Sequence, residues 1–175
     1  MWLLVGLGNP GKEYESTRHN AGWMALDFLA REIGADWKKD KKFNAEIADG
    51  VFGDTKIMMV KPQSFMNLSG EVAQPIAAYY KIEPDHIIVI HDDMDFDLGD
   101  VRMQFDRTAA GHNGVQNLID RLSTKAFHRI RIGIGPKKIE ARDFVLAKFS
   151  KDELKTMAES ISTVLDAVDT IVHAE

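Results

Sequence analysis

Four short polar clusters bring together the side chains of this sequence that could act on a substrate. They are Asn9 with His19 and Asn20; Phe65-Met66-Asn67-Leu68-Ser69-Gly70; His91-Asp92-Asp93-Met94-Asp95; and Gly111-His112-Asn113-Gly114. Each alone reads as turn or cap chemistry, because Asn, Asp, Ser and Gly favour both. Four at the ends of regular elements point to one shared site. Their inventory is an imidazole, a carboxylate and several carboxamides. There is no cysteine, and no Gly-x-Ser-x-Gly to seat a nucleophilic serine. Such a set suits direct attack by water on an activated acyl bond, an ester before an amide. The imidazole takes the water's proton. The carboxylate fixes the imidazole's tautomer and stabilises its charged form. Amide N–H groups hold the substrate and the oxyanion.

Rival chemistries meet specific obstacles. Asp93-x-Asp95-x-Asp97 opens like a calcium loop, but its sixth position is Leu98 where glycine is needed and its twelfth is Gln104 where glutamate is needed. His-Glu-x-x-His is absent, and the six histidines are not spaced as zinc ligands. A composite metal site from His19, His91 and Asp92 stays open. Gly6, Gly8 and Gly11 match the dinucleotide pattern G-x-G-x-x-G. That pattern needs a helix opening at the third glycine and an acidic residue about twenty positions on. Here Pro10 stiffens the loop, the next helical pattern begins late at Ala21, and Asp27 lies inside that pattern. No cofactor is expected.

The elements that must position these residues are legible as periodicity. Strand patterns fall at Trp2–Gly6, 44–48, 56–61, 87–91, Val101–Phe105 and 129–134, with a weaker one at 144–147. Helical patterns fall at 21–33, Ser69–Tyr80, 114–122 and Lys151–Val172. Ile87 to Ile90 are all apolar, as in a central strand covered on both faces. The 44–48 and 56–61 strands, joined by a Gly50/Gly53 turn, suit an antiparallel pair. The last helix opens on a capping box, Ser150-x-x-Glu153. Mixed strands and helices predict an α/β sandwich with a mixed sheet.

The 175 residues suit one domain, 1–175, with a real core. No apolar run is long enough for a bilayer and no signal peptide is read at the N-terminus, so a cytoplasmic protein is expected. Of the net charge of −5, residues 150–175 carry −4. Basic clusters lie at Lys38-Lys39-Lys41-Lys42 and Arg129-Arg131-Lys137-Lys138. One face could therefore be basic while the last helix is acidic, which permits an RNA partner without establishing one.

Five motifs occur in order: Gly-Leu-Gly-Asn-Pro-Gly-x-x-Tyr-x-x-Thr-Arg-His-Asn-x-Gly, Phe-Met-Asn-Leu-Ser-Gly, His-Asp-Asp-Met-Asp, Gly-His-Asn-Gly and Arg-Ile-Arg-Ile-Gly-Ile-Gly. Together they resemble the bacterial-type peptidyl-tRNA hydrolase family, from Leu3 to about Phe149. The resemblance implies a monomeric α/β enzyme, a three-layer α/β/α sandwich around a mixed, mostly parallel sheet. The enzyme would cleave, without a metal, the ester between a peptide and the 3′-terminal ribose of tRNA, recycling tRNA from prematurely released chains. Substrates with a free α-amine would be disfavoured. By position, the resemblance makes His19 the catalytic base and Asp92 its partner. Asn9, Asn67 and Asn113 line the site with Tyr14 and Met66 beside them; Asn67 and Asn113 hold the peptide and the terminal nucleotide. The position of Arg131 helps hold the tRNA's 5′ phosphate. Arg129 and Arg131 share one strand face, with Ile130, Ile132 and Ile134 on the other.

Two positions depart from the family pattern. Gln104 stands where a second basic residue is usual, and Asp106-Arg107-Thr108-Ala109-Ala110-Gly111 replaces a glycine-rich run. Arg107, three residues past Gln104, is the candidate for the missing phosphate contact. A non-catalytic RNA-binding module is the alternative from another class.

Overall fold

β1 (Trp2–Gly6) is the middle strand of a seven-stranded sheet in the computed structural model, which describes residues 1–136 and 139–174. Lys137 and Lys138 of the second basic cluster and Glu175 of the acidic tail lie outside the described residues. The other strands are β2 (Lys38–Asp40), β3 (Ala45–Phe52), β4 (Thr55–Pro62), β5 (Ile87–Asp97), β6 (Val101–Phe105) and β7 (His128–Gly135). Their spatial order is β2-β3-β4-β1-β5-β7-β6. The four central strands pair in parallel, and β2, β3 and β6 add antiparallel edges. The sheet is mixed with a parallel centre, as expected.

Strand alternation divides the apolar residues between two cores. Leu4, Ile88, Ile90, Ile130 and Ile132 turn to one face, which α1 (Ala21–Glu32) and α5 (Lys151–Val172) cover. Leu3, Val5, Ile87 and Val89 turn to the other, under α2 (Ser69–Tyr80) and α3 (Asn113–Leu122). Both faces of β5 are therefore dry, which is why residues 87 to 90 are apolar throughout. A short helix, α4 (Ala141–Val145), precedes α5, whose capping box forms as its sequence predicts.

Three elements differ from expectation. The weak strand at 144–147 overlaps α4 and the turn after it. A short apolar run does not distinguish the two states, and here Phe144 N–H closes a helical bond to the Glu140 carbonyl. Gly50 lies within β3, and the hairpin turns at Gly53 and Asp54, where Phe52 faces Thr55. The lysine cluster contains β2, an edge strand whose charged residues gave no apolar signal and which suits an exposed edge.

A close approach and an extended strand aim the site. Gly22, in the first turn of α1, packs against the Ile90 carbonyl, where a side chain would collide. The helix N-terminus is thereby drawn onto the C-terminal ends of β1 and β5. β5 also runs beyond the apolar segment, because residues 91 to 93 keep pairing with β7 before an irregularity between Asp93 and Asp97. Asp92 is thus a strand residue rather than a loop residue.

Candidate active site

A 3-10 turn, Arg18–Asn20, leads directly into α1 and carries His19. Asn20 anchors it: its Oδ1 accepts from the Asn9 N–H at 2.9 Å and its Nδ2 donates to the Asn9 carbonyl at 3.1 Å. Asn9 in turn accepts the Met66 N–H on its own Oδ1 at 2.8 Å. The two buried carboxamides thus tie the first loop, the His19 turn and the entry to α2 into one unit, satisfying groups that burial would otherwise penalise.

His19 Nδ1 lies 2.9 and 3.0 Å from the two oxygens of Asp92. His112 Nε2 lies 2.9 Å from Asp92 Oδ1. The carboxylate, 2% exposed, is therefore bracketed by two imidazoles. Burial alone would raise the Asp92 pKa, but the two rings' charges and hydrogen bonds hold it well below the ordinary carboxylate range. Burial alone would lower the His19 pKa, yet the charge and hydrogen bond of Asp92 outweigh it and raise it.

The tautomers follow from partners. His112 is the N-cap of α3, and its Nδ1 accepts the Val115 N–H at 3.3 Å. The proton of the neutral ring therefore sits on Nε2 and is donated to Asp92. His19 donates from Nδ1 to the same carboxylate, which leaves Nε2 as its basic nitrogen. His91 takes no part in this exchange. Its Nδ1 donates to the Asp92 carbonyl at 2.8 Å, its ring packs edge-on to His112, and burial first, then the neighbouring His112, lower its pKa well below the ordinary value.

The composite metal site considered from sequence therefore changes membership. The ligand atoms that come together, all within 4.8 Å, belong to His19, Asp92 and His112. A metal on His112 Nε2 would move that ring's proton to Nδ1, against the Val115 N–H. The donor set fits shared protons better than a cation.

These residues line a cleft of about 410 Å³ that also includes Asn113, Ala110, Arg142 and Leu146. Asn113 is exposed at the first turn of α3, and Asn67 is exposed beside α2. Neither carboxamide has a hydrogen-bond partner among the described residues. Tyr14, half-buried, meets Phe65 edge-on at 6.4 Å. Asn9, Tyr14, Met66 and Asn67 do not line that cleft.

The candidate phosphate residues do not line the cleft themselves, although Arg131 bonds to Asp93, which does. Arg131 is buried, donates from Nε to Asp93 Oδ2 at 2.8 Å and sits 4.4 Å over the Phe96 ring. Arg129 donates from Nη2 to Gln104 Oε1 at 2.6 Å; burial and the neighbouring Arg131 push its pKa down to about 10. Gln104 thus engages the adjacent arginine. Arg107 is exposed, two residues before Ala109 on the cleft wall. His112 belongs to the fourth polar cluster of the sequence, but its bond to Asp92 is not read there. Its Gly-His-Asn-Gly motif is visible, but nothing in spacing says that it reaches Asp92.

Fold and site together define an α/β protein with a carboxylate hydrogen-bonded to two imidazoles at the ends of parallel strands, where open α/β sheets place their ligands. The chain belongs to the peptidyl-tRNA hydrolase family, whose model matches residues 3–175. It is 40% identical to the peptidyl-tRNA hydrolase of Clostridium botulinum, covering 100% of this chain and 91% of the relative. It is 43% identical to that of Alkaliphilus oremlandii, covering 98% and 93%. The crystal structure of peptidyl-tRNA hydrolase from Acinetobacter baumannii superposes with a TM-score of 0.92 at 35% identity, over 98% of this chain and 88% of that one.

Proposed function

We propose that the chain hydrolyses the ester joining a peptide, or an N-blocked aminoacyl group, to the 3′-terminal ribose of tRNA, with water activated by His19. The observation that carries the mechanism is the His19–Asp92 pair, whose geometry leaves Nε2 as the free base. Water adds to the ester carbonyl carbon while Nε2 takes its proton. Asp92 stabilises the imidazolium that results. Asn113 on the cleft wall and Asn67 outside it, both exposed, would hold the acyl group and the terminal nucleotide, a role supported by the family resemblance. The tetrahedral intermediate expels the ribose oxygen, which recovers the proton from His19. The products are a peptide carboxylate and free tRNA. No step needs a metal, and the enzyme works as a monomer in the cytoplasm. No helix among the described residues is long and apolar enough to cross a membrane.

The test is incubation of the full chain with N-acetyl-aminoacyl-tRNA in EDTA, with the unblocked aminoacyl-tRNA alongside. Cleavage of the blocked substrate in preference to the free amine supports the reading. Activity that appears only after Zn²⁺ or Mg²⁺ is returned would overturn its metal-free mechanism.

A further inference from the structure

Arg18 immediately precedes the proposed base and is buried, yet the hydrolysis above does not use it. Its backbone N–H donates to the Ala147 carbonyl at 3.0 Å. Its Nη1 donates to the Lys148 carbonyl at 2.7 Å and, more loosely, to that of Ala147 at 3.3 Å. Its Nη2 pairs with Glu153 at 2.7 Å. The guanidinium carbon lies 4.9 Å from the Phe144 ring centre and 5.2 Å from that of Phe149. Two backbone contacts close the same seam: the Phe149 N–H donates to the Ser16 carbonyl, and Thr17 bridges to Lys148. The strand-like step into His19 is thereby stitched to the chain that follows α4. Ala141, Arg142, Val145 and Leu146, from α4 and its end, form one wall of the cleft.

Glu153 serves both sides of this seam. Its Oε1 accepts the Ser150 N–H in the capping box of α5 while its Oε2 holds Arg18. Burial alone would raise its pKa, but the hydrogen bonds from Ser150 and the charge of Arg18 keep it below the ordinary value.

We infer that Arg18, held by Glu153, is a positioning residue that latches the α4 wall of the cleft to His19. The wall that meets the substrate and the base that acts on it then keep one register. The inference rests on the hydrolytic reading above. Two separate nitrogens of one planar group reach the carbonyls and the carboxylate while the group's centre stays near both aromatic rings, a spread that the compact ammonium of lysine does not reproduce. Misplacement of a reacting group by about 1 Å costs roughly 10²-fold in rate.

The experiment compares the full chain with Arg18→Lys, Arg18→Gln, Glu153→Gln and the Arg18→Gln/Glu153→Gln pair. It measures kcat and KM for N-acetyl-aminoacyl-tRNA across pH, thermal stability, and the ¹⁵N titration of the His19 ring. Arg18→Gln is expected to lower kcat by ~10–10²-fold and to move the acid limb downward as His19 loosens from Asp92. Arg18→Lys should not rescue it. Glu153→Gln, which keeps the capping box, should cause a smaller loss in the same direction. The double variant should be no slower than Arg18→Gln alone. Lower thermal stability with kcat and the acid limb unchanged would make Arg18 mere structural support and overturn the latch. If the wild type cleaves nothing, the hydrolytic reading fails separately, and the His19 titration in Arg18→Gln still decides the latch: displaced if it exists, unchanged if not. Should Arg18→Gln not fold, Arg18→Lys and Glu153→Gln decide by the same readouts.

Discussion

At the scale of single residues, the site turns on one nitrogen. His19 Nε2 is basic only while Nδ1 gives its proton to Asp92. His19→Ala is therefore expected to lower kcat by roughly 10²–10⁴-fold, the usual loss for a general base, with tRNA binding intact by filter retention. Near-normal kcat would remove His19 from the mechanism. Because Asp92 raises the His19 pKa against the effect of burial, the base should become protonated, and activity fall, below a limb lying above the ordinary ~6.5 of imidazole. Asp92→Asn removes the charge and leaves burial, so the limb should move to lower pH. Asp92 Oδ1 already lies 2.9 Å from both ring nitrogens, so a carboxamide oxygen there keeps both bonds, while the amide group takes the Oδ2 place and faces the His19 N–H that Oδ2 had accepted at 3.0 Å. A slower enzyme with a shifted limb is expected in pH–rate measurements; an unshifted limb would contradict the pairing.

At the scale of elements, most strands and helices are legible in the sequence because their periods are clean. β1, β6, α2 and α5 have the bounds that pattern predicts. β2 is hidden because an edge strand of lysines and an aspartate carries no apolar alternation. α4 reads as a strand because four adjacent apolar residues, Phe144 to Ala147, fit either state until the Arg18 seam fixes the chain. The site is legible in its parts, since each polar cluster sits where an element begins or ends. The link between α3 and Asp92 is not, because it is a contact across 20 residues made by a ring that also caps a helix. That double role can be separated. His112→Asn retains a good N-cap but removes the donor to Asp92, whereas His112→Ala removes both. The alanine variant should be less stable than the asparagine variant by ~0.5–2 kcal/mol in denaturant unfolding. Both should lose kcat to a similar extent. Equal stabilities would show that the cap contributes little.

At the scale of the whole molecule, the question is where the tRNA's phosphates are met. The acidic residues of α5 lie on the α1 face of the sheet, away from α2 and α3. Of the strand arginines, Arg131 already pairs with Asp93, so a phosphate there must compete with a carboxylate in place. Arg129 is buried against the neutral Gln104 and remains charged at neutral pH, but its fork is engaged. Arg107 differs from both: it is exposed and has no ion-pair partner among the described residues. We propose that Arg107 supplies the cation that Gln104 does not, since arginine can bind phosphate bidentately. Arg107→Ala should then raise KM for tRNA carrying a 5′ phosphate. It should also flatten the plot of log K against log salt by ~0.7–0.9 for each phosphate that is no longer neutralised, because fewer counterions are released on binding. A short acylated acceptor fragment without that phosphate should be almost indifferent to the substitution. The plain alternative is a solvated loop arginine, and it predicts no change with either substrate. Equal losses on both would place Arg107 at the acceptor end rather than at the phosphate, and would leave Arg131, once released by Asp93, to hold the phosphate alone.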